Sequence, residues 1–169
     1  MNKNYIMNMI TIYFDLDGVL CDFDKQCDMM DCWKVNGRPD WNKMDEIGPR
    51  FWCEMEPIEA GMKLLELVQD FCKEHTGIQV GIMSAIHLKN GRDGKRDWLK
   101  KYTSISDNII IVNNGSFKHK YAQPNSILVD DNTSNVKNYI STGNQAVLFD
   151  RTESVYELFN KIKKAIALL

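Results

Sequence analysis

The chain has 169 residues, which is room for one ordinary domain. Its residues are 44% hydrophobic and 26% charged, a composition that excludes a disordered chain, a fibre and a multi-pass membrane protein. Twenty-one Lys and Arg residues against 23 Asp and Glu residues give a formal net charge of -2. A general attraction to nucleic acid is therefore not expected, and any such contact would need a local basic patch.

Taken in chain order, the hydrophobic pattern alternates strands with helices. It predicts a strand at 10–14, a helix at 59–75, a strand at 78–83, a helix at 93–102, strands at 109–112 and 126–129, a helix at 133–140, a strand at 146–149 and a closing helix at 153–168. Short apolar strands separated by helices favour a parallel sheet covered on both faces. The expected fold class is α/β, a three-layer doubly wound sheet of Rossmann type.

Residues 21–57 interrupt this alternation. They hold three of the four tryptophans together with Phe51, and glycines and prolines punctuate the segment. Because the segment follows the first strand, we expect a small helical cap inserted into a single domain that spans residues 1–169. Its aromatic residues suit either a miniature core or a wall that contacts substrate, and Phe23 and Trp52 are the candidates for the second role.

The cysteines and the N-terminal apolar stretch bear on the cellular compartment. The five cysteines are odd in number and show no metal-ligand spacing, so reduced thiols in the cytoplasm are the simplest interpretation. The apolar stretch at 5–14 is too short to span a bilayer. It also lacks a small-residue cleavage site, which favours a buried strand over a signal peptide.

Acidic side chains stand at the ends of two predicted strands. Asp15 and Asp17 follow the first strand, and Asp130 and Asp131 follow the fourth. Parallel strands bring their carboxyl ends to one edge of the sheet, so four carboxylates are expected to converge there. Their desolvation requires a compensating cation, and oxygen-only ligands favour Mg²⁺.

Cations suited to an anionic substrate lie elsewhere in the chain. Lys118, His119 and Lys120 follow the third strand. A second group falls at 89–101, where a solvated helix face explains most of the charges and Lys95 is the candidate for a phosphate contact. Carboxylates with a metal, a lysine and a hydroxyl such as that of Ser84 are the groups needed to transfer a phosphoryl group to a protein carboxylate.

Four ordered motifs resemble those of haloacid-dehalogenase (HAD) type phosphatases. They are FDLDGVL, the serine of IMSA, Lys120, and LVDD at 128–131. Further stretches are similar to one group of these phosphatases, the 5'(3')-deoxyribonucleotidases. They are DLDGVLCDF, EPIEAG at 56–61, KRDWLKKY at 95–102 and a lysine ten residues before the acidic pair. The resemblance extends over most of the chain and implies the same α/β fold.

The resemblance also implies a role for each matching residue. Asp15 would form an aspartyl phosphate, and Asp17 would protonate the leaving oxygen and then activate water. Ser84 and Lys120 would hold phosphate oxygens, and Phe23 would stack on the base. Mg²⁺ would be bound by Asp15, the backbone carbonyl of Asp17, Asp130 and Asp131, with Asp131 as the direct contact of the acidic pair.

Several alternatives stay open at this stage. The acidic turn could be solvated without a metal, Ser84 could be a strand-end cap, and Lys118 could take the place of Lys120. Asn132 stands where the nucleotidases usually have arginine, Met83-Ser84-Ala85 stands where they have Thr-Ser-Pro, and the insert is shorter than theirs.

The expected substrate is a small phosphomonoester, a deoxyribonucleoside monophosphate in the first instance. A phosphatase of nucleic-acid 3' ends and a non-catalytic metal- or nucleotide-binding module are the rival hypotheses.

Overall fold

The computed structural model describes residues 9–86 and 89–169, and it confirms the α/β fold. Five parallel strands form one sheet in the order β3-β2-β1-β4-β5. The strands are β1 Ile10–Phe14, β2 Ile78–Ala85, β3 Ile109–Val112, β4 Ser126–Asp130 and β5 Gln145–Leu148. The part of the predicted apolar stretch at residues 5–8 lies outside the described residues.

Helices cover both faces of the sheet. They are α1 Phe23–Met29, α2 Trp41–Ile47, α3 Pro49–Cys53, α4 Glu59–Glu74, α5 Lys89–Tyr102, α6 Thr133–Ile140 and α7 Val155–Ile166, with a 3₁₀ helix at Gly115–Tyr121. None of the helices within the described ranges has the length and apolar content needed to cross a bilayer. The hydrophobic pattern does not predict α1, α2, α3 or the 3₁₀ helix, because each is short and lacks a long apolar period.

The central strand β1 positions the acidic edge, which is the end of the sheet where Asp15, Asp17, Asp130 and Asp131 follow or end their strands. Ile12 and Phe14 are fully buried in the main core, whereas Tyr13 packs into a second core on the opposite face of the sheet. This alternation follows from the two-residue period of a strand with both faces covered. Phe14 pairs with Ile82 of β2 and with Val129 of β4, so β1 and β4 end at nearly the same level, whereas β2 continues to Ala85.

Two strands extend beyond their predicted ends. β2 continues through Ser84 to Ala85, and β4 includes Asp130 as its last residue. Ser84 therefore lies within the sheet, where it is fully buried, and not in the loop that follows the strand. The shift changes which groups can reach a ligand at the sheet edge.

The insert, residues 21–57, shares the main core. Met44, Phe51 and Trp52 belong to the same buried cluster as Phe14. Helix α3 packs closely against α5, where Gly94 leaves no room for a side chain. Two side-chain hydrogen bonds also reach backbone carbonyls of the insert. Trp98 Nε1 of α5 donates to the Met55 carbonyl at 2.8 Å, and Gln26 Nε2 donates to the Phe51 carbonyl at 2.9 Å.

Replacement of Gly94 tests this helix contact. An added methyl group would lie 2.4 Å from the Pro49 carbonyl oxygen and 2.6 Å from Trp52 Cβ. We expect Gly94→Ala to lower the free energy of unfolding by about 1–3 kcal/mol despite the better helix propensity of alanine. Urea denaturation measures the change. Gly115→Ala is the matched control, because its nearest neighbour would be 3.7 Å away. A Gly94→Ala protein as stable as the wild type would contradict the packing described.

Candidate active site

The turn after β1 presents Asp15 at the sheet edge. Leu16 is buried in the core, and its backbone N–H donates to Asp15 Oδ1 at 2.7 Å. Gly18 has a φ of 79°, which ordinary side chains rarely adopt, and a Cβ there would collide with the carboxyl of Asp131. The tight approach of the Asp15–Gly18 turn to Asp131 therefore depends on glycine.

Three of the four predicted acidic residues form one cluster. Asp15, Asp130 and Asp131 each offer a carboxylate oxygen, and these atoms lie within 4.8 Å of one another. The neighbouring positions of β1 and β4 in the sheet bring them together. Asp15 and Asp130 are buried, whereas Asp131 is exposed. The fourth residue, Asp17, lies beside this cluster and lines the same cavity as Asp15 and Asp131.

The lysine at this cluster is Lys118, not Lys120 as expected. Lys118 is 2% exposed, and its Nζ lies 2.5 Å from Asp15 Oδ2 and 2.6 Å from Asp130 Oδ2. Lys120 is exposed, and its Nζ lies 4.1 Å from the centroid of the Phe117 ring. The reason is the 3₁₀ helix, because its three-residue turn places positions 118 and 120 on different faces.

The carboxyl of Asp130 is already saturated with donors. Besides Lys118, it accepts the backbone N–H of Asn132 at 2.9 Å and the side-chain amide of Asn135 at 3.1 and 3.2 Å. Asp15 and Asp131 therefore remain as the carboxylates best able to bind a cation. Asn135 was not identified from the sequence, and its polar side chain at the third position of a helix gave no distinguishing signal.

The pKa shifts describe a site with excess negative charge. Desolvation, together with the charges of Asp15 and Asp130, raises the pKa of Asp131 to about 7. Burial also raises the pKa of Asp130, and Asp15 adds to the rise. Burial alone would lower the pKa of Lys118, but the same two aspartates outweigh it and raise that pKa. One ammonium thus faces three carboxylates, which is an arrangement that a further cation would stabilise.

Lys95 does not lie where a contact with the phosphate group would place it. It is fully buried and its Nζ donates to Asp17 Oδ2 at 2.6 Å, to Ser84 Oγ at 2.9 Å and to the Ala85 carbonyl at 2.5 Å. Neither Lys95 nor Ser84 is among the described residues that line the cavity. The expectation that these two side chains touch a phosphate group is therefore not met by this geometry. Burial raises the pKa of Asp17, and Lys95 opposes that rise.

A cavity of about 230 Å³ opens above the carboxylates. Its walls include Phe23, Trp41, Trp52 and Ile86, and its floor includes Asp15, Asp17, Asp131 and Lys118. The Phe23 ring lies 6.0 Å from both the Trp41 and the Trp52 ring centroids, so these three rings form a continuous wall. Trp52 is only 1% exposed and presents little surface. Phe23 and Trp41 are partly exposed, and Trp41 was not singled out from the sequence.

Most cations of helix α5 lie away from the cavity. Arg92 donates to the Ile111 carbonyl at 3.2 Å. Arg96 and Lys100 border a separate surface pocket, and Lys101 borders a third one. Among the described residues that line the cavity, Lys118 is the only basic one. Within the described part of the chain, the basic residues of α5 therefore do not form a continuous row that leads to the acidic edge.

The two lysines after β3 provide a matched pair of variants. Lys118→Met leaves two buried carboxylates without their cation, and breaking such a pair costs about 3–5 kcal/mol. Lys120→Met removes an exposed charge and is expected to change stability by less than about 0.5 kcal/mol. Urea denaturation of both variants in metal-free buffer measures the difference. A larger loss for Lys120→Met than for Lys118→Met would contradict the placement of these lysines.

Comparisons with known proteins bear on the fold. A search of solved structures matches the HAD domain of effector protein Lem4 from Legionella pneumophila, with a TM-score of 0.53 and 15% sequence identity over 94% of this chain and 95% of that chain. An inactive mutant of the same domain matches with the same TM-score and identity over 94% of each chain. No protein-family model matches this chain, and a search of curated proteins finds no match either. At 15% identity the likeness establishes a shared fold, so this chain has the α/β architecture seen in HAD domains.

Proposed function

We propose that this chain is a phosphomonoesterase of HAD type that transfers a phosphoryl group to Asp15. The observation that carries the proposal is the buried carboxyl of Asp15, which borders the cavity and pairs with Lys118. A carboxylate at this position can attack phosphorus only if nearby cations offset the repulsion between two anions. The likeness to HAD domains supports the proposal through the shared fold.

The donor set at the sheet edge fits Mg²⁺. Its candidate ligands are all oxygens, and the carboxylates of Asp15 and Asp131 are the ones not saturated by other donors. The backbone carbonyl of Asp17 is proposed as a further ligand, with Asp130 behind Asp131. A bound Mg²⁺ would neutralise charge on the phosphate and on these carboxylates. The acidic cluster and the likeness to HAD domains support this assignment.

The proposed reaction divides between Asp15, Lys118 and Asp17. Asp15 attacks phosphorus, and the bond from phosphorus to the leaving oxygen breaks as the bond to Asp15 forms. Two of the three hydrogens of Lys118 bond to Asp15 and Asp130, which leaves the third for a phosphate oxygen within the described geometry. Asp17 gives its proton to the leaving oxygen and later accepts one from the water that hydrolyses the aspartyl phosphate.

The substrate proposed is a nucleoside monophosphate, with the deoxyribonucleotides first. The aromatic wall formed by Phe23, Trp41 and Trp52 stands over the carboxylates, and such ring faces stack on planar groups. We assign the insert as the cap that carries this wall. The rival hypothesis of nucleic-acid 3' ends needs basic residues along a strand path. The described cations of α5 border other pockets, which favours the mononucleotide.

The proposed cellular location is the cytoplasm. All five cysteines are free thiols, and three of them are fully buried. Free thiols in a small domain suit a reducing compartment.

Asp15→Asn is the direct test of the nucleophile. The amide cannot accept a phosphoryl group, so we expect phosphate release from p-nitrophenyl phosphate and from nucleotides to fall by at least about 10³-fold. Circular dichroism should show an intact fold. EDTA should abolish wild-type turnover, and added Mg²⁺ should restore it. Asp107→Asn, in the exposed loop before β3, is the control and should retain full activity. Wild-type turnover by Asp15→Asn would exclude this mechanism, and Mg²⁺-saturated binding without turnover in the wild type would favour a non-catalytic module.

Phe23→Leu tests the substrate class. The shorter side chain removes a ring face from the cavity wall, and aromatic stacking contributes about 1–3 kcal/mol per base. We therefore expect KM for a deoxyribonucleoside monophosphate to rise by about tenfold, while turnover of a sugar phosphate without a base is unchanged. Steady-state kinetics on both substrates measure the ratio. Equal losses on both substrates, or activity on sugar phosphates alone in the wild type, would refute the nucleotide assignment.

A further inference from the structure

Lys95 is a fully buried cation that lies behind the residues lining the cavity. Its side chain is 0% exposed, and the described residues that line the cavity do not include it. A lysine in such a position is held by its partners, because a buried unpaired ammonium is too costly to persist. The identity of those partners shows what the residue can do.

All three hydrogens of the Lys95 ammonium have acceptors. These acceptors are Asp17 Oδ2, Ser84 Oγ and the carbonyl oxygen of Ala85, at 2.6, 2.9 and 2.5 Å. An ammonium has three donors and no acceptor, so none is left for a phosphate oxygen. The group acts on Asp17, which is partly exposed and lines the cavity that Lys95 does not.

Among the described residues, Asp17 has a charge-assisted hydrogen bond at one oxygen only. Oδ2 receives the charge-assisted bond from Lys95, whereas Oδ1 has a long contact of 3.7 Å with the Cys21 thiol. A thiol is a weak donor, so Oδ1 stays available for proton transfer. The Lys95 bond therefore fixes Oδ2, and Oδ1 is the oxygen without a charge-assisted bond among the described residues.

Packing holds Lys95 itself in place. Its Nζ lies 5.0 Å from the centroid of the Trp52 ring, within range of a cation–π interaction. Its neighbour Gly94 sits in the close contact between α5 and α3. Ser84 and Ala85 belong to strand β2, so Lys95 joins the insert, the sheet and the turn after β1 at one atom.

We propose that Lys95 is the positioning residue for Asp17: it holds Oδ2 so that Oδ1 delivers the proton to the leaving oxygen. This inference rests on the proposed function. In that step the phosphorus–oxygen bond to the leaving group breaks, the bond from phosphorus to Asp15 forms, and the proton on Asp17 Oδ1 moves to the leaving oxygen. A misplaced acid costs about 10²-fold in rate even when the acid itself is present.

The leaving group provides a readout that a purely structural role would not change. An alkoxide leaving group needs the proton, whereas p-nitrophenolate departs readily without it. We expect Lys95→Met to lower kcat/KM by about 10²-fold for a nucleoside 5'-monophosphate and by less than tenfold for p-nitrophenyl phosphate. The KM and the inhibition by inorganic phosphate should change little, because Lys95 does not line the cavity proposed to hold the substrate and the phosphate.

A double-variant cycle tests whether Lys95 acts through Asp17. Adding Lys95→Met to Asp17→Asn should cause no further loss on the nucleotide, because the group being positioned has already lost its proton-transfer role. Lys95→Gln keeps a donor and much of the reach, and it serves as the second variant if Lys95→Met fails to fold. Its loss should be smaller but show the same preference. Lys100→Met, an exposed lysine of the same helix, is the matched control and should be unchanged.

The outcomes separate this inference from the proposed function. Equal losses on both leaving groups, full additivity with Asp17→Asn, or undiminished activity of folded Lys95→Met and Lys95→Gln would each overturn the positioning role. A wild-type protein that releases phosphate from no substrate would instead overturn the proposed function.

Discussion

The ammonium of Lys118 between two buried carboxylates is the contact on which the acidic edge depends. Asp15 follows β1, Asp130 ends β4, and Lys118 comes from the 3₁₀ helix that connects β3 to β4, so one group joins three parts of the chain. Without that cation, two neighbouring carboxylates would stand desolvated at the ends of adjacent strands, at a cost of several kcal/mol. Desolvation and the charges of Asp15 and Asp130 raise the pKa of Asp131 beside them, and a bound cation would offset that excess of negative charge.

The two buried lysines have distinct environments and therefore distinct proposed roles. Lys118 borders the cavity and keeps one hydrogen for a ligand, whereas Lys95 lies behind Asp17 with every hydrogen used. The insert is fixed to the sheet by a shared core and by the close contact at Gly94. Its aromatic wall accordingly shares a core with the strands that carry the carboxylates, and we expect this wall to limit the size of the substrate.

The sequence predicted the sheet and its acidic edge better than the groups around them. Apolar strands at regular intervals carry a strong signal, and the convergence of Asp15, Asp130 and Asp131 follows from parallel topology alone. Which of Lys118 and Lys120 contacts the carboxylates depends on a 3₁₀ helix, and no periodic pattern in the sequence predicts that helix. The bond between Lys95 and Asp17 spans 78 residues, and a solvated helix face was the reasonable interpretation of the charges around Lys95. Long-range polar contacts of this kind leave no local trace in a single sequence.

A crystal structure with Mg²⁺ and beryllofluoride would test the central claim most directly. The account predicts beryllofluoride joined to a carboxylate oxygen of Asp15, a metal between Asp15 and Asp131, and Lys118 still in contact with Asp15 and Asp130. Beryllofluoride on another side chain, or a metal bound away from Asp131 with Lys118 displaced from both aspartates, would contradict it.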